Sequence, residues 1–313
     1  MALDLRQSFN ARGVYVFVMT PMKLSKTRQG KYEVDLEGME KNIRHFAGIK
    51  GDKTMVICGG SGEFYSLSGP EVREIGAAAV EGAQGRCQIV SGIGGSTRSA
   101  VKMAASAEEV GCDGVLVMPH DPIVARGEKK IWEHHQAIGQ AIDIGYLPFR
   151  APRQLISIDL VRKFAGHKKV VAIKEESGAI DWVRTGRIAT DHAVPIITGG
   201  GENMVPYYYL AGAVGFTTGM ANLTLLKSIQ LHNAALKGRW KSAMEQRDYF
   251  ESLTTLRTEL GTPMLKSGLE MMGLAGGPVR DTRAQYSTTE AGHILDTTGR
   301  RRVRALLKKK GVL

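Results

Sequence analysis

Cysteine is scarce: Cys58, Cys87 and Cys112 are the only three in 313 residues, and no two form a CxxC pair. That count and spacing exclude a disulfide framework and a zinc ribbon, and they fit a reducing compartment. Aromatic residues make up only 6% of the chain, which leaves few platforms for stacking single-stranded nucleic acid. Long apolar runs are missing as well. The longest early one, Val14–Met19, is far short of the about 20 residues that a membrane span needs, and MALDLRQSFNARG at the N-terminus has no apolar signal core. Neither an HExxH spacing nor a GxxxxGK[ST] loop is present. The expectation is a soluble, cytoplasmic protein with no metal and no cofactor.

What is present is an ordinary globular composition, 43% hydrophobic and 23% charged. The net charge of +11 invites a nucleic-acid reading, but Arg300, Arg301, Arg302, Arg304, Lys308, Lys309 and Lys310 supply seven positive charges in the last fourteen residues. Val303, Leu306 and Leu307 at helical spacing within them predict an amphipathic C-terminal helix with a solvated basic face. No nucleic-acid or membrane partner follows, whereas an anionic small substrate suits the charge.

Eight short apolar runs punctuate the first two thirds of the chain: Val14–Met19, Thr54–Cys58, Gln88–Ser91, Gly114–Met118, Ile142–Leu147, Val170–Lys174, Pro195–Thr198 and Val214–Thr218. Amphipathic stretches separate them, among them Leu36–Gly48, Pro70–Glu81, Glu128–Ile138 and Ile158–Gly166. Strands alternating with helices call for parallel βαβ units. With no linker between residues 14 and 220, the eight strands are expected to close into one α/β (βα)8 barrel. Residues 1–221 carry the strands and first helices; residues 222–313 carry the last barrel helix and a helical extension, read as Leu223–Leu236, Arg239–Leu260, Pro263–Met272 and Thr288–Lys310. A doubly wound open sheet is the alternative, but Thr20-Pro21-Met22 is not the Gly-rich turn it needs.

Active sites of such barrels lie at the C-terminal strand ends. The residues found there are Thr20, the Gly59–Glu63 loop, Pro119-His120-Asp121, Tyr146, Lys174, Gly199-Gly200-Gly201 and Gly219, with Arg150 after the fifth strand and Glu202 after the seventh. Lys174 closes an apolar run, a setting that depresses a lysine pKa and frees a nucleophilic amine; the plain alternative is a lysine reaching to solvent. Tyr146 is a proton shuttle if it faces the same mouth, and otherwise core packing. Gly60 and Ser61 offer a backbone nest for a carboxylate, and Ser68 with Glu71 reads as a capping box behind it. Thr20, Asp121, Arg150, Gly200 and Glu202 are the remaining substrate-binding candidates. Asp121, Arg150 and Glu202 supply polar and cationic groups for the distal end of a polyhydroxy acid.

The segments GGSGEFYSLS, VVAIKEESG, AGAVGFTTGMAN and GGPVRDTR resemble the dihydrodipicolinate synthase and N-acetylneuraminate lyase family of class I aldolases, in order along residues 13 to 313. The resemblance implies a (βα)8 barrel, a homotetramer built as a dimer of dimers, and pyruvate or another 2-oxo acid held as an imine on Lys174. It places the family's tyrosine on Tyr146, 28 positions before Lys174, and its carboxylate-holding hydroxyl on Ser61. Three departures concern the substrate. Tyr-Asn-x-Pro becomes Tyr146-Leu147-Pro148-Phe149 after a segment a few residues short, the relay Pro-Tyr-Tyr becomes Pro119-His120-Asp121, and the synthase's arginine position falls on Ala151. The function expected is a Schiff-base lyase for pyruvate or a 2-keto-3-deoxy sugar acid, acting by aldol chemistry or dehydration. The alternatives are 4-hydroxy-tetrahydrodipicolinate synthase and a non-catalytic barrel that binds a 2-oxo acid.

Overall fold

The computed structural model describes residues 4–25, 32–280 and 294–313. Eight parallel strands close into a barrel: β1 (Gly13–Phe17), β4 (Lys53–Ile57), β5 (Gln88–Ile93), β6 (Gly114–Val117), β7 (Gly145–Arg150), β8 (Ile173–Glu175), β9 (Ile196–Thr198) and β10 (Gly215–Thr218). Between the first two lies an antiparallel hairpin, β2 (Met22–Leu24) and β3 (Tyr32–Val34). The barrel strands are buried almost throughout because side chains fill the inside and helices cover the outside. That double burial is why they read as continuous apolar runs.

The covering helices are α1 (Leu36–Gly48), α2 (Gly69–Ala83), α3 (Thr97–Glu109), α4 (Asp121–Val124), α5 (Glu128–Ala141), α6 (Ile158–Gly166), α7 (Ile180–Ala189), α8 (Val205–Leu210) and α9 (Ala221–Leu236). Local chemistry starts several of them. Asp35, Ser96 and Ser157 cap α1, α3 and α6, and Ser68 with Glu71 forms a full capping box on α2. The stretch Arg239–Leu260, expected as one helix, is two: α10 (Trp240–Tyr249) and α11 (Glu251–Leu260) meet at Phe250, which is wholly buried. Next come α12 (Thr262–Met271) and α13 (Thr297–Lys309). The first six residues of the expected Thr288–Lys310 helix lie outside the described residues, and 294 and 295 are non-helical chain before the Asp296 cap. Along α13, Val303 and Leu307 are buried while Arg301, Arg302, Lys308 and Lys309 face solvent.

The fifth strand differs in register from its sequence reading. Ile142–Leu147 was the expected run, whereas β7 begins at Gly145 and continues to Arg150. Pro148 does not end the strand: it pairs with Val117 of β6, and Phe149 and Arg150 pair with Lys174 and Glu175 of β8. The shift moves the strand's end three residues on and decides what reaches the mouth.

The C-terminal helices are tied to the barrel beside that mouth. Lys266 of α12 makes an ion pair with Glu63 of the second strand's loop, both essentially without solvent exposure, and Lys266 Nζ also donates to the Pro278 carbonyl at 2.6 Å. Arg280 adds a backbone N–H to Glu63 at 2.7 Å and its guanidinium to Glu71 at 2.6 Å. Removing one member of a buried pair strands the other charge. Lys266→Ala is therefore expected to lower stability in urea unfolding by about 3–5 kcal/mol, and neutralising Glu63 in the same chain should recover part of that loss.

Candidate active site

The mouth of the barrel opens into a cavity of about 660 Å³. Lys174 lies at its base, with a side chain 4% exposed. Strand pleating determines this placement. Lys174 pairs with Phe149, so both side chains point inward, and their neighbours Glu175 and Arg150 point outward. Lys174 Nζ lies 3.7 Å from the Phe149 ring centroid and 4.5 Å from that of Phe17, and it forms an ion pair with Glu176, which also lines the cavity. Burial between two rings pushes the lysine pKa down, while the Glu176 carboxylate acts in the opposite direction.

Gly60 and Ser61 line the opposite side. A Cβ at Gly60 would meet nothing within 4 Å, and Ser61 Oγ lies near Gly219 at the end of β10. Among the described residues, the hydrogen bonds of this turn run from Glu63 N to Gly60 O and from Phe64 N to Gly59 O, and none takes up the N–H of Gly60 or Ser61. These donors remain available to an anion in the cavity. Glycine is required at Gly92, where a Cβ would lie 2.0 Å from the Cys58 carbonyl that leads into the turn. Gly200 and Glu202 also line the cavity. Glu202 is buried and accepts from Thr218 at 2.9 Å and Ser228 at 2.7 Å, and burial pushes its pKa up.

Four expected residues take other positions. Tyr146 is wholly buried and points away from the mouth. Its ring packs against His135 of α5 and His167 beyond α6, and among the described residues its hydroxyl finds no hydrogen-bond partner. It bridges to Val170, three strand positions below the Phe149–Lys174 level, roughly 10 Å down the barrel. A proton shuttle at Tyr146 is thereby corrected, and Phe149 occupies the place beside the lysine. The three-residue difference also accounts for the short segment before Tyr146. Arg150 faces the helix layer, paired with Glu175 at 2.7 Å and 4.6 Å from the Trp182 ring centroid, so it does not read substrate in the mouth. Asp121 is exposed at the start of α4, 3.4 Å from Arg153 and outside the cavity lining. Thr20 is buried and donates to the Gly62 carbonyl at 2.6 Å, bracing the nest from behind.

Sequence reasoning passed over Phe17, Phe149, Glu176 and a group from α11: Thr254, Arg257 and Thr258. Glu176 stood within a quoted motif but without a role. The α11 residues carried no signal, because only the folded chain brings an appended helix over the strand ends. His134 and His135 are packing residues, and burial pulls their pKa values down to about 4 and about 3. Because the Tyr146 hydroxyl has no partner among the described residues and does not line the cavity, Tyr146→Phe is expected to leave steady-state kinetics unchanged. It should leave the melting temperature unchanged or slightly raised, since a buried unsatisfied group is removed.

The sequence matches the model of the dihydrodipicolinate synthetase family over residues 10–295. It is 28% identical to the 4-hydroxy-tetrahydrodipicolinate synthase of Methanospirillum hungatei, across 90% of this chain and 98% of that one. It is 26% identical to a protein of Acinetobacter baumannii named "Probable 5-dehydro-4-deoxyglucarate dehydratase", across 77% and 83% of the two chains. The dihydrodipicolinate synthase structure from Aquifex aeolicus superposes with a TM-score of 0.80 at 26% identity, covering 96% of this chain and 98% of that one. Among the described residues, no helix is long and apolar enough to cross a membrane. With its closed eight-stranded barrel and a match that spans nearly its whole length, the chain belongs to the dihydrodipicolinate synthetase family of lyases.

Proposed function

We propose that this lyase forms a Schiff base between Lys174 and a 2-oxo acid, and that Glu176 takes the acid–base part that Tyr146, turned into the helix layer, does not reach. The observation that carries the reading is a lysine amine buried between Phe17 and Phe149 with a carboxylate against it. Burial disfavours the ammonium, so a larger share of neutral amine exists near pH 7 than for a free lysine. The amine attacks C2 of the substrate, and loss of the carbonyl oxygen as water leaves an iminium. The substrate carboxylate lies on the free N–H groups and hydroxyl of Gly60 and Ser61. Removing a proton from C3 gives an enamine. That enamine either adds to an aldehyde, forming the C3–C4 bond, or expels a C4 hydroxyl as water; run in reverse, the first course is aldol cleavage. Glu176 lies at the nitrogen and within the cavity, where a carboxylate can accept and return these protons.

The named relatives include a synthase and a dehydratase, so both outcomes occur among proteins of similar sequence. A homotetramer and a cytoplasmic location complete the proposal by family resemblance. The presence of phenylalanine beside the lysine favours one second reading, a barrel that binds 2-oxo acids without turning them over.

Incubation with pyruvate and borohydride is expected to add a reduced three-carbon adduct at Lys174, located by peptide mass mapping. Because the folded amine has a depressed pKa, its trapping rate should fall by less than the roughly tenfold per pH unit expected of a free lysine as pH drops from about 9 to about 7. An unmodified Lys174 at saturating pyruvate contradicts the proposal. Ser61→Ala should lower turnover by on the order of 10²-fold if the nest holds the carboxylate, while a barrel that only binds would show an adduct and no turnover with any 2-oxo acid.

A further inference from the structure

The wall of the cavity formed by the C-terminal helices carries a cation that imine chemistry does not use. Thr254, Arg257 and Thr258 share one face of α11, and all three line the cavity that holds Lys174. The Arg257 guanidinium donates to Thr262 Oγ1 at 3.3 Å, and among the described residues no carboxylate lies within ion-pair distance of it. Burial pulls it down to about 10, with no neighbouring charge acting against that pull, and it remains charged at neutral pH. The cavity's own carboxyls are engaged elsewhere. Glu176 is at Lys174, and Glu202 is hydrogen-bonded to Thr218 and Ser228. Arg257 is half-buried in the cavity wall, and its planar fork of donors faces no carboxylate among the described residues, which leaves it open to an anion in the cavity. At about 660 Å³ the cavity also has room for far more than a three-carbon acid.

We propose that Arg257 is a specificity residue that grips a carboxylate at the end of the substrate remote from the 2-oxo group, so that this site selects 2-oxo diacids over 2-oxo monoacids. The assignment rests on the imine reading for the position of the near end. The near carboxylate lies on Gly60 and Ser61, the carbonyl carbon at Lys174, and the far carboxylate at Arg257, where a guanidinium can meet it with two parallel hydrogen bonds. A C-terminal helix thereby sets substrate length and charge, while the strand ends carry the chemistry.

The test is the concentration of 2-oxo acid that half-saturates borohydride trapping. 2-Oxoglutarate, 2-oxoadipate and 2-oxopimelate are each compared with the monoacid of equal chain length. In the wild-type protein at least one diacid should saturate at a concentration on the order of 10- to 100-fold below that of its monoacid. Arg257→Gln should bring that ratio close to one, and Arg257→Lys, which keeps the charge but not the fork, should retain part of it. A ratio near one in the wild-type protein, or a preference that survives in Arg257→Gln, overturns the assignment. Failure of the imine reading looks different: no acid, pyruvate included, leaves an adduct. In that event calorimetric titration with adipate against hexanoate, which needs no imine, decides the matter. Adipate binding that disappears in Arg257→Gln supports the assignment, and equal binding of the two acids overturns it.

Discussion

An amine held out of water between two phenylalanine rings, with a carboxylate against it, is the constraint on which the rest of this site depends. Lys174 has a side chain 4% exposed, and Phe149 and Phe17 fill the space where water would otherwise solvate its charge. Burial alone would push the amine toward its neutral form, and Glu176 restrains that push. The two influences oppose each other, and burial is the larger. Everything else at the mouth supports this arrangement: the nest of Gly60 and Ser61 faces it, and the buried hydroxyl of Thr20 holds the nest's own carbonyl in place.

Strand pleating explains both what the sequence made legible and what it concealed. Lys174 was legible as a candidate because it ends an apolar run at the C-terminal end of a barrel strand, and the pleat turns it into the cavity. Ser61 and Gly60 were legible because a glycine cluster after a strand has few other uses. Glu202 and Gly200 line the cavity as their position after the seventh strand suggested. Tyr146 misled because spacing to Lys174 was counted along the chain. Two adjacent strands meet by register, not by count, and β7 runs three residues beyond Tyr146 before it reaches the level of Lys174. Arg150 misled for a related reason: one residue past an inward-facing Phe149, it must point outward, where Glu175 and Trp182 receive it.

The helices after the barrel carry more of the site than an appendage would. The buried Glu63–Lys266 pair and the Arg280 contacts to Glu63 and Glu71 fasten α12 and the segment after it to the loop that bears the nest. That attachment holds α11 over the cavity, with Arg257 in its wall. A change in packing among these helices would move the cavity wall that carries Arg257 without touching Lys174. Barrels of one family can in this way keep a common reaction while their outer helices choose the substrate.

The claim at the centre of this account is that Lys174 and Glu176 divide the chemistry between them, one forming the imine and the other moving protons at C3. Borohydride trapping reports imine formation, and exchange of the C3 protons of pyruvate for deuterium, followed by proton NMR in heavy water, reports the proton transfer that comes after it. The account predicts that Glu176→Gln still forms the Lys174 adduct, at a pH no higher than the wild-type protein requires, while its exchange rate falls by roughly 10²- to 10⁴-fold. Exchange in Glu176→Gln at the wild-type rate, with the adduct intact, would contradict it.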